Sequence, residues 1–303
     1  MLNRRTLTLA ALSLAVSASG AFAQDWKAKY PELVLAVVPA ENASGVTERW
    51  GPFVAYLSKE LGTKVTLRIA NDYAAVIEGQ KAGNVQIGYY GPASYARATV
   101  VGAKIEPIVI DVNSDGTKGY YSVFYVKKDS AYQDIQSLKG KNLGLVDPNS
   151  TSGYNMPLFA LSKQNIDAEK FFGKVVETGS HENALLALQQ GTVDVAANWW
   201  NADDDSNLTR MATKNMVKKD DYRIIYKSPL IINSPTAILS NLPDDLKAAI
   251  KKAYLEAATK DKAAFDKLSD GKNKPWEAVT DKDYDDTRAL IKFVDDLKKK
   301  KAS

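Results

Sequence analysis

Short β-branched runs recur along this chain at near-regular intervals, and most of the gaps between them carry apolar residues at helical spacing. The runs are LVLAVVP (33–39), KVTLRIA (64–70), VQIGYYG (85–91), EPIVIDV (106–112), YYSVFYVK (120–127), NLGLVDP (142–148), VVETGS (175–180), VDVAANW (193–199) and YRIIYKS (222–228). Between them, Phe53, Leu57 and Leu61, or Ala184, Leu185 and Leu188, share one face of a helix. Strands alternating with helices leave one broad solution, an α/β fold with largely parallel, buried sheets. From Pro243 onward the pattern changes to amphipathic helices with no strong strand signal. Gly116 and Gly119 bracket one possible crossover, and SPLIINSP (228–235) is a second. Two crossovers predict a chain that leaves a first lobe, builds a second and returns. The divisions expected are 24–118 with 231–303, and 119–230. Hinged pairs of this kind close around a ligand in the cleft between them.

The first residues are set aside from the fold. MLNRRTLTLAALSLAVSASGAFAQ has an Arg4-Arg5 start, an apolar middle and a small-x-small end at Ala21-Phe22-Ala23. That is the layout of a secretory leader over 1–23, cleaved before Gln24. The chain has no cysteine, so an exported form is held by its core alone, and a bacterial periplasm fits best. Removing Arg4 and Arg5 takes the formal charge from +4 to +2, too weak a bias for a nucleic-acid partner. The lysine run 298–301 reads as a solvated terminus, and a monomer is expected.

Open α/β sheets bind ligands beyond the carboxyl ends of their strands, where loops feed helix N-termini. Four such junctions are rich in small hydroxyls and tyrosines. In ANDYAAVIEG, Asn71 or Asp72 can cap a helix with Tyr73 in its opening turn. In GYYGPASYARA, Pro92 suits the first helical position and Tyr89, Tyr90, Ser94 and Tyr95 surround it. VDPNSTSGYNMP places Ser150, Thr151 and Ser152 side by side before Gly153. In TGSHENALLAL, Ser180 can cap a helix whose first turn holds His181, the single histidine. Helix N-termini present unpaired N–H groups and about half a positive charge. Adjacent hydroxyls add donors that rotate to suit an oxygen-rich ligand. The four junctions together describe a site for a small tetrahedral oxyanion. Taken singly, a Ser-Thr-Ser run is a helix cap, and GYYGP is a core strand ending in a turn.

NDYAAVIEG, IGYYGPASYARA, VDPNSTSGYNMP, GSHENALLAL and VDVAAN together resemble the periplasmic phosphate/phosphite/phosphonate-binding proteins of ABC importers, over most of 32–240. The resemblance implies a two-lobed, hinged, type II-like binding protein, each lobe a mostly parallel sheet flanked by helices. It implies a phosphonate ligand, an inner-membrane permease as partner and no cofactor. It implies that Ser150, Thr151 and Ser152 hold the phosphonate oxygens with His181, and that Tyr73 and a tyrosine of GYYG, Tyr90 ahead of Tyr89, close the pocket. Where relatives that take aminoalkylphosphonates place carboxylates, this chain has Asn201 and Ser234. Trp199 and Trp200 stand nearby, either as an apolar wall or as a cation–π face for an ammonium, with Asp203 to Asp205 as alternative partners. A small alkylphosphonate or phosphite is therefore expected ahead of an aminoalkylphosphonate.

Rival readings remain from the residues alone. Ser150 to Ser152, His181 and Asp194 can be written as nucleophile, base and orienter of a hydrolase, but no G-x-S-x-G elbow is present. A sulfonate also presents three oxygens, and a protonated phosphonate differs in needing an acceptor, for which Asp147 is the nearest candidate. ADDDSN (202–207) lacks the spaced ligands of a calcium loop and reads as a surface turn.

Overall fold

The computed structural model describes residues 26–302, so the expected leader 1–23 and its cleavage site lie outside the described residues. The chain builds two sheets. The first runs in the order Asn273–Glu277, Ile105–Asn113, Pro235–Leu239, Ile87–Tyr89, Glu32–Val37, Lys64–Ile69. The second runs Tyr222–Lys227, Gly119–Lys127, Val195–Ala202, Asn142–Leu145, Lys174–Glu177, with two short strands added at Ile231–Ile232 and Asp205–Ser206. The chain passes between the sheets once after Asn113 and once before Pro235.

Each sheet is mixed, which corrects the expectation of mostly parallel sheets. Glu32–Val37 is parallel to both its neighbours, as is Asn142–Leu145. The other pairings are antiparallel. The reason is the crossovers. Strand–helix–strand units close parallel, but Gly119–Lys127 and Pro235–Leu239 each enter directly from the other lobe and insert against the local direction. The strand Asn273–Glu277 carries no apolar run for the sequence to reveal. Its Pro275 is tolerated because the strand lies at a sheet edge.

The helices form where the apolar spacing places them. Asn42 caps Ala43–Leu61 by accepting from the Gly45 N–H, and Gly62 ends it at φ 60°, a conformation that favours glycine. The stripe Phe53, Leu57 and Leu61 is buried, and Phe53 meets the rings of Tyr254 and Trp276 at 5.0 and 5.2 Å. Burying such a side chain contributes roughly 1.5–3 kcal/mol. In the second lobe Ala184, Leu185 and Leu188 of His181–Gln190 seat that helix on its sheet. The last helix, Asp285–Ala302, does not sit wholly with the first lobe, as the expected division of 231–303 had it. Its Leu290 and Val294 join the second lobe's core, while Ile291 packs on Ala93 and Ala96 of the first lobe. Arg97 donates twice to Asp295 there, at 2.6 and 2.8 Å. No helix among the described residues is long and apolar enough to cross a membrane.

Candidate functional site

A cavity of about 150 Å³ lies between the lobes, and all four strand-to-helix junctions reach it through Tyr73, Gly91, Ser150 to Ser152 and His181. The Ser150 side chain caps its turn by accepting from the Gly153 N–H at 3.1 Å. The turn Thr151–Asn155 is π-helical and runs into the helix Met156–Lys163. Its first N–H groups, those of Thr151 and Ser152, have no acceptor within the helix. Gly153 is required here by contact: an added Cβ would stand 2.3 Å from Val146 Cγ2. Gly153→Ala is therefore expected to destabilise the protein by about 1–3 kcal/mol through overpacking, read as a lowered urea midpoint. Asp147 holds this turn, accepting the Asn149 N–H at 2.7 Å and, through its carbonyl, the Ser150 N–H. It does not line the cavity.

His181 is buried and its two ring nitrogens are both engaged, Nδ1 with Asn198 Oδ1 at 3.1 Å and Nε2 with Ser150 Oγ at 3.2 Å. Asn198 is oriented by its other bonds: its Nδ2 donates to the His181 carbonyl and its Oδ1 accepts the Trp199 N–H. That orientation puts the proton on His181 Nδ1 and leaves Nε2 to accept from the Ser150 hydroxyl. Burial pushes the imidazole down to about 4, so it is neutral at pH 7. Tyr73 and Tyr120 complete this wall; burial raises both phenols, that of Tyr120 to about 12. The wall is thus neutral: the phenols of Tyr73 and Tyr120 keep their protons, and the Ser150 hydroxyl gives its own to His181.

The lobes meet across it. Ala93, in the first turn of Pro92–Val100, donates its N–H to Thr151 Oγ1 at 2.8 Å. Asn42 donates its N–H to Glu182, and Lys214 bridges Glu41 and Glu182 at 2.7 and 3.2 Å. Arg210 pairs with Asp270, and Lys272 with Asp204.

The rest of the cavity lining is charged and aromatic. Trp199, Asn201 and Ser234 belong to it, with Glu41, Arg49, Trp50, Asp111, Asp205, Arg210 and Trp276. The Arg210 guanidinium lies 4.7 Å over the Trp199 ring, so the protein's own cation occupies that cation–π face. Asp205 accepts from Asn201 Nδ2 at 2.7 Å, leaving Asn201 Oδ1 without a partner. Asp111 accepts from Tyr89 and Trp276 at 2.6 and 2.7 Å, while its burial raises its pKa. For Glu41 burial would do the same, but Arg49 and Lys214 hold its carboxyl below the usual range.

Two expected residues lie elsewhere. Tyr90 is fully buried in the first lobe's core and donates to Gln80 Oε1 at 2.8 Å. Neighbouring side chains of an extended segment point to opposite sides, so Tyr89 faces the cavity instead. By the same alternation Trp200 turns away from Trp199, packs against Tyr121 at 5.8 Å and lies under Lys227 Nζ at 4.0 Å. Asp194 orients no histidine: it accepts from Tyr132 and from the Asn142 N–H, far along the strand. Tyr120, Arg49 and Arg210 were not singled out from sequence. Arg49 had a signal, as a charge on the buried stripe of Val46, Trp50 and Phe53.

The family described as "ABC transporter, phosphonate, periplasmic substrate-binding protein" matches residues 35–284. The chain is 32% identical to the phosphonates-binding periplasmic protein of Escherichia coli K12 over 264 residues, 85% of this chain and 75% of that one. It is 30% identical to a phosphate-import protein of Mycolicibacterium smegmatis over 278 residues, 86% of this chain and 85% of that one. Its fold matches a binding protein component of an ABC phosphonate transporter from Pseudomonas aeruginosa with a TM-score of 0.77 and 29% identity, covering 87% and 86% of the two chains. These are transport proteins and not enzymes, and the chain belongs to the family of periplasmic substrate-binding proteins of phosphonate ABC transporters.

Proposed function

We propose that this protein captures a phosphonate or phosphite between its lobes in the periplasm, after loss of the leader, and delivers it to an inner-membrane permease. The observation that carries this is the convergence of Tyr73, Tyr120, Ser150, Thr151, Ser152 and His181 on one neutral, hydroxyl-rich cavity wall, whose phenols and hydroxyls supply donors and whose Ser150 Oγ supplies an acceptor. Such donors, with the first N–H groups of a helix, suit a small tetrahedral oxyanion. Ser150 to Ser152 and His181 belong to the second lobe, while Tyr73 comes from the first, whose Ala93 N–H is tied to Thr151 Oγ1. Binding across the cleft favours the closed arrangement over the open one, the differential interaction that closure requires.

The Ser150–His181 pair favours phosphorus over sulfur. A monoprotonated phosphonate carries one P–OH, which Ser150 Oγ can accept while its own hydroxyl donates to His181 Nε2 at 3.2 Å. A sulfonate has no proton to give at neutral pH. A substituent without positive charge is favoured over an aminoalkyl group, because Arg49 and Arg210 line the same cavity and Trp199's ring face is already covered.

The test is a thermal-shift panel on the mature chain with methylphosphonate, phosphite, phosphate, 2-aminoethylphosphonate and ethanesulfonate. A ligand at about 100 times its Kd adds roughly 2.7 kcal/mol to stability. Stabilisation by a phosphorus oxyanion beyond that given by the sulfonate is the expected result. A larger response to the sulfonate would overturn it.

A further inference from the structure

We infer that the ligand carries a carboxylate as well as its phosphonate, held by Arg49 and Arg210, which line the same cavity as the hydroxyl wall. This rests on the reading that the hydroxyl wall takes the phosphonate, and deepens it by naming the second group.

A guanidinium has five N–H groups in a fixed fork. Arg49 lines the cavity with a side chain only 13% exposed, and its Nη1 is buried without a hydrogen-bond partner. Its Nε comes within 2.7 Å of Glu41 Oε1 but is not aligned for a hydrogen bond. Arg210 also lines the cavity; its Nε lies 3.3 Å from Asp270 and is likewise unaligned. No aligned hydrogen bond from either guanidinium to the protein is made among the described residues; each keeps one ion pair through Nε, Arg49 with Glu41 and Arg210, its side chain 22% exposed, with Asp270. A buried donor such as Arg49 Nη1 is normally satisfied, so it lacks an acceptor that the protein does not supply.

The nearby carboxylates do not fill that role. Glu41 accepts from Lys214 through Oε2 at 2.7 Å and faces Arg49 Nε through Oε1, which leaves Arg49 Nη1 without it. Both oxygens of Asp111 are engaged, by Tyr89 and Trp276. Asp205 accepts from Asn201. The two guanidiniums are also close enough for Arg210 to disfavour the charge on Arg49, after burial itself. An anion between them relieves that repulsion and an ammonium adds to it. A planar carboxylate matches the fork of Arg49, and Trp199 beneath Arg210 at 4.7 Å holds the second fork in place. One short carbon linker then joins the two anionic ends, giving a carboxyalkylphosphonate.

The experiment is calorimetric titration of the mature protein with methylphosphonate, 2-aminoethylphosphonate, phosphonoacetate and 3-phosphonopropionate. At least one carboxylate-bearing compound should bind tenfold or more tighter than methylphosphonate. In Arg210→Gln and Arg49→Gln, measured separately, the ratio of those two affinities should fall by tenfold or more, methylphosphonate serving as the reference within each variant. If methylphosphonate or 2-aminoethylphosphonate binds as tightly as both carboxylated compounds, the inference is overturned and the phosphonate site stands. The same holds if both variants keep the wild-type ratio. If no phosphorus compound binds the wild type, the site reading itself fails. The wild-type panel decides the question even if Arg49→Gln does not fold.

Discussion

Thr151→Val is expected to weaken phosphonate binding by at least a hundredfold. Thr151 Oγ1 accepts the Ala93 N–H from the opposite lobe at 2.8 Å, and the residue is buried in the cavity wall. Valine keeps the shape and removes both the acceptor and the donor. The closed form then leaves Ala93's N–H unsatisfied, which costs about 1–3 kcal/mol, and the bound oxyanion loses a charge-assisted hydrogen bond of about 1.5–3 kcal/mol. A sum of roughly 2.5–6 kcal/mol corresponds to a factor of about 10²–10⁴ in Kd. Thr151→Ser retains the hydroxyl and should stay near wild type. Calorimetric titration of both variants with whichever of phosphite and methylphosphonate binds the wild type more tightly checks this. A change under fivefold in the valine variant would show that Thr151 neither links the lobes nor holds the ligand.

The second large effect is on acid stability. The imidazole of His181 is held down to about 4 by burial, from an ordinary value of 6.5. Below pH 6.5 the unfolded chain therefore binds a proton that the folded chain refuses, so stability is full above 6.5 and falls as pH drops toward 4. The difference of 2.5 units corresponds to about 3 kcal/mol. In urea titrations without ligand, the wild type should lose that much more than His181→Gln between pH 7 and pH 4. Saturating phosphonate should flatten the wild-type slope, because the anion offsets the desolvation of a charged imidazole. Parallel curves for the two proteins would mean that His181 is not held neutral.

Much of the fold was written in local pattern. The nine β-branched runs correspond to strands, and the helical stripes at Phe53, Leu57 and Leu61 and at Ala184, Leu185 and Leu188 are buried as their spacing required. Period-2 and period-3.6 patterns are local and hydrophobic burial enforces them. The strand Asn273–Glu277 was invisible because an edge strand with Lys274 and Pro275 has no buried alternation to display. The antiparallel insertion of Gly119–Lys127 and Pro235–Leu239 was invisible for a different reason. Strand direction follows from where the chain has come from, and no residue encodes that.

The candidate site divides in the same way. Its oxyanion wall was legible, because capping residues, small hydroxyls and helix starts are short-range features, and Tyr73, Ser150, Thr151, Ser152 and His181 all reach the cavity. The choice between Tyr89 and Tyr90, and between Trp199 and Trp200, turned on which face of an extended segment meets the cleft. That depends on how each strand sits in its sheet. Arg49 and Arg210 line one cavity although 161 positions separate them in sequence. The sequence alone determined which hydroxyls and helix starts would be available to an anion. Only the packing of two lobes decided that two guanidiniums, brought together by no local rule, line the same cavity as those hydroxyls.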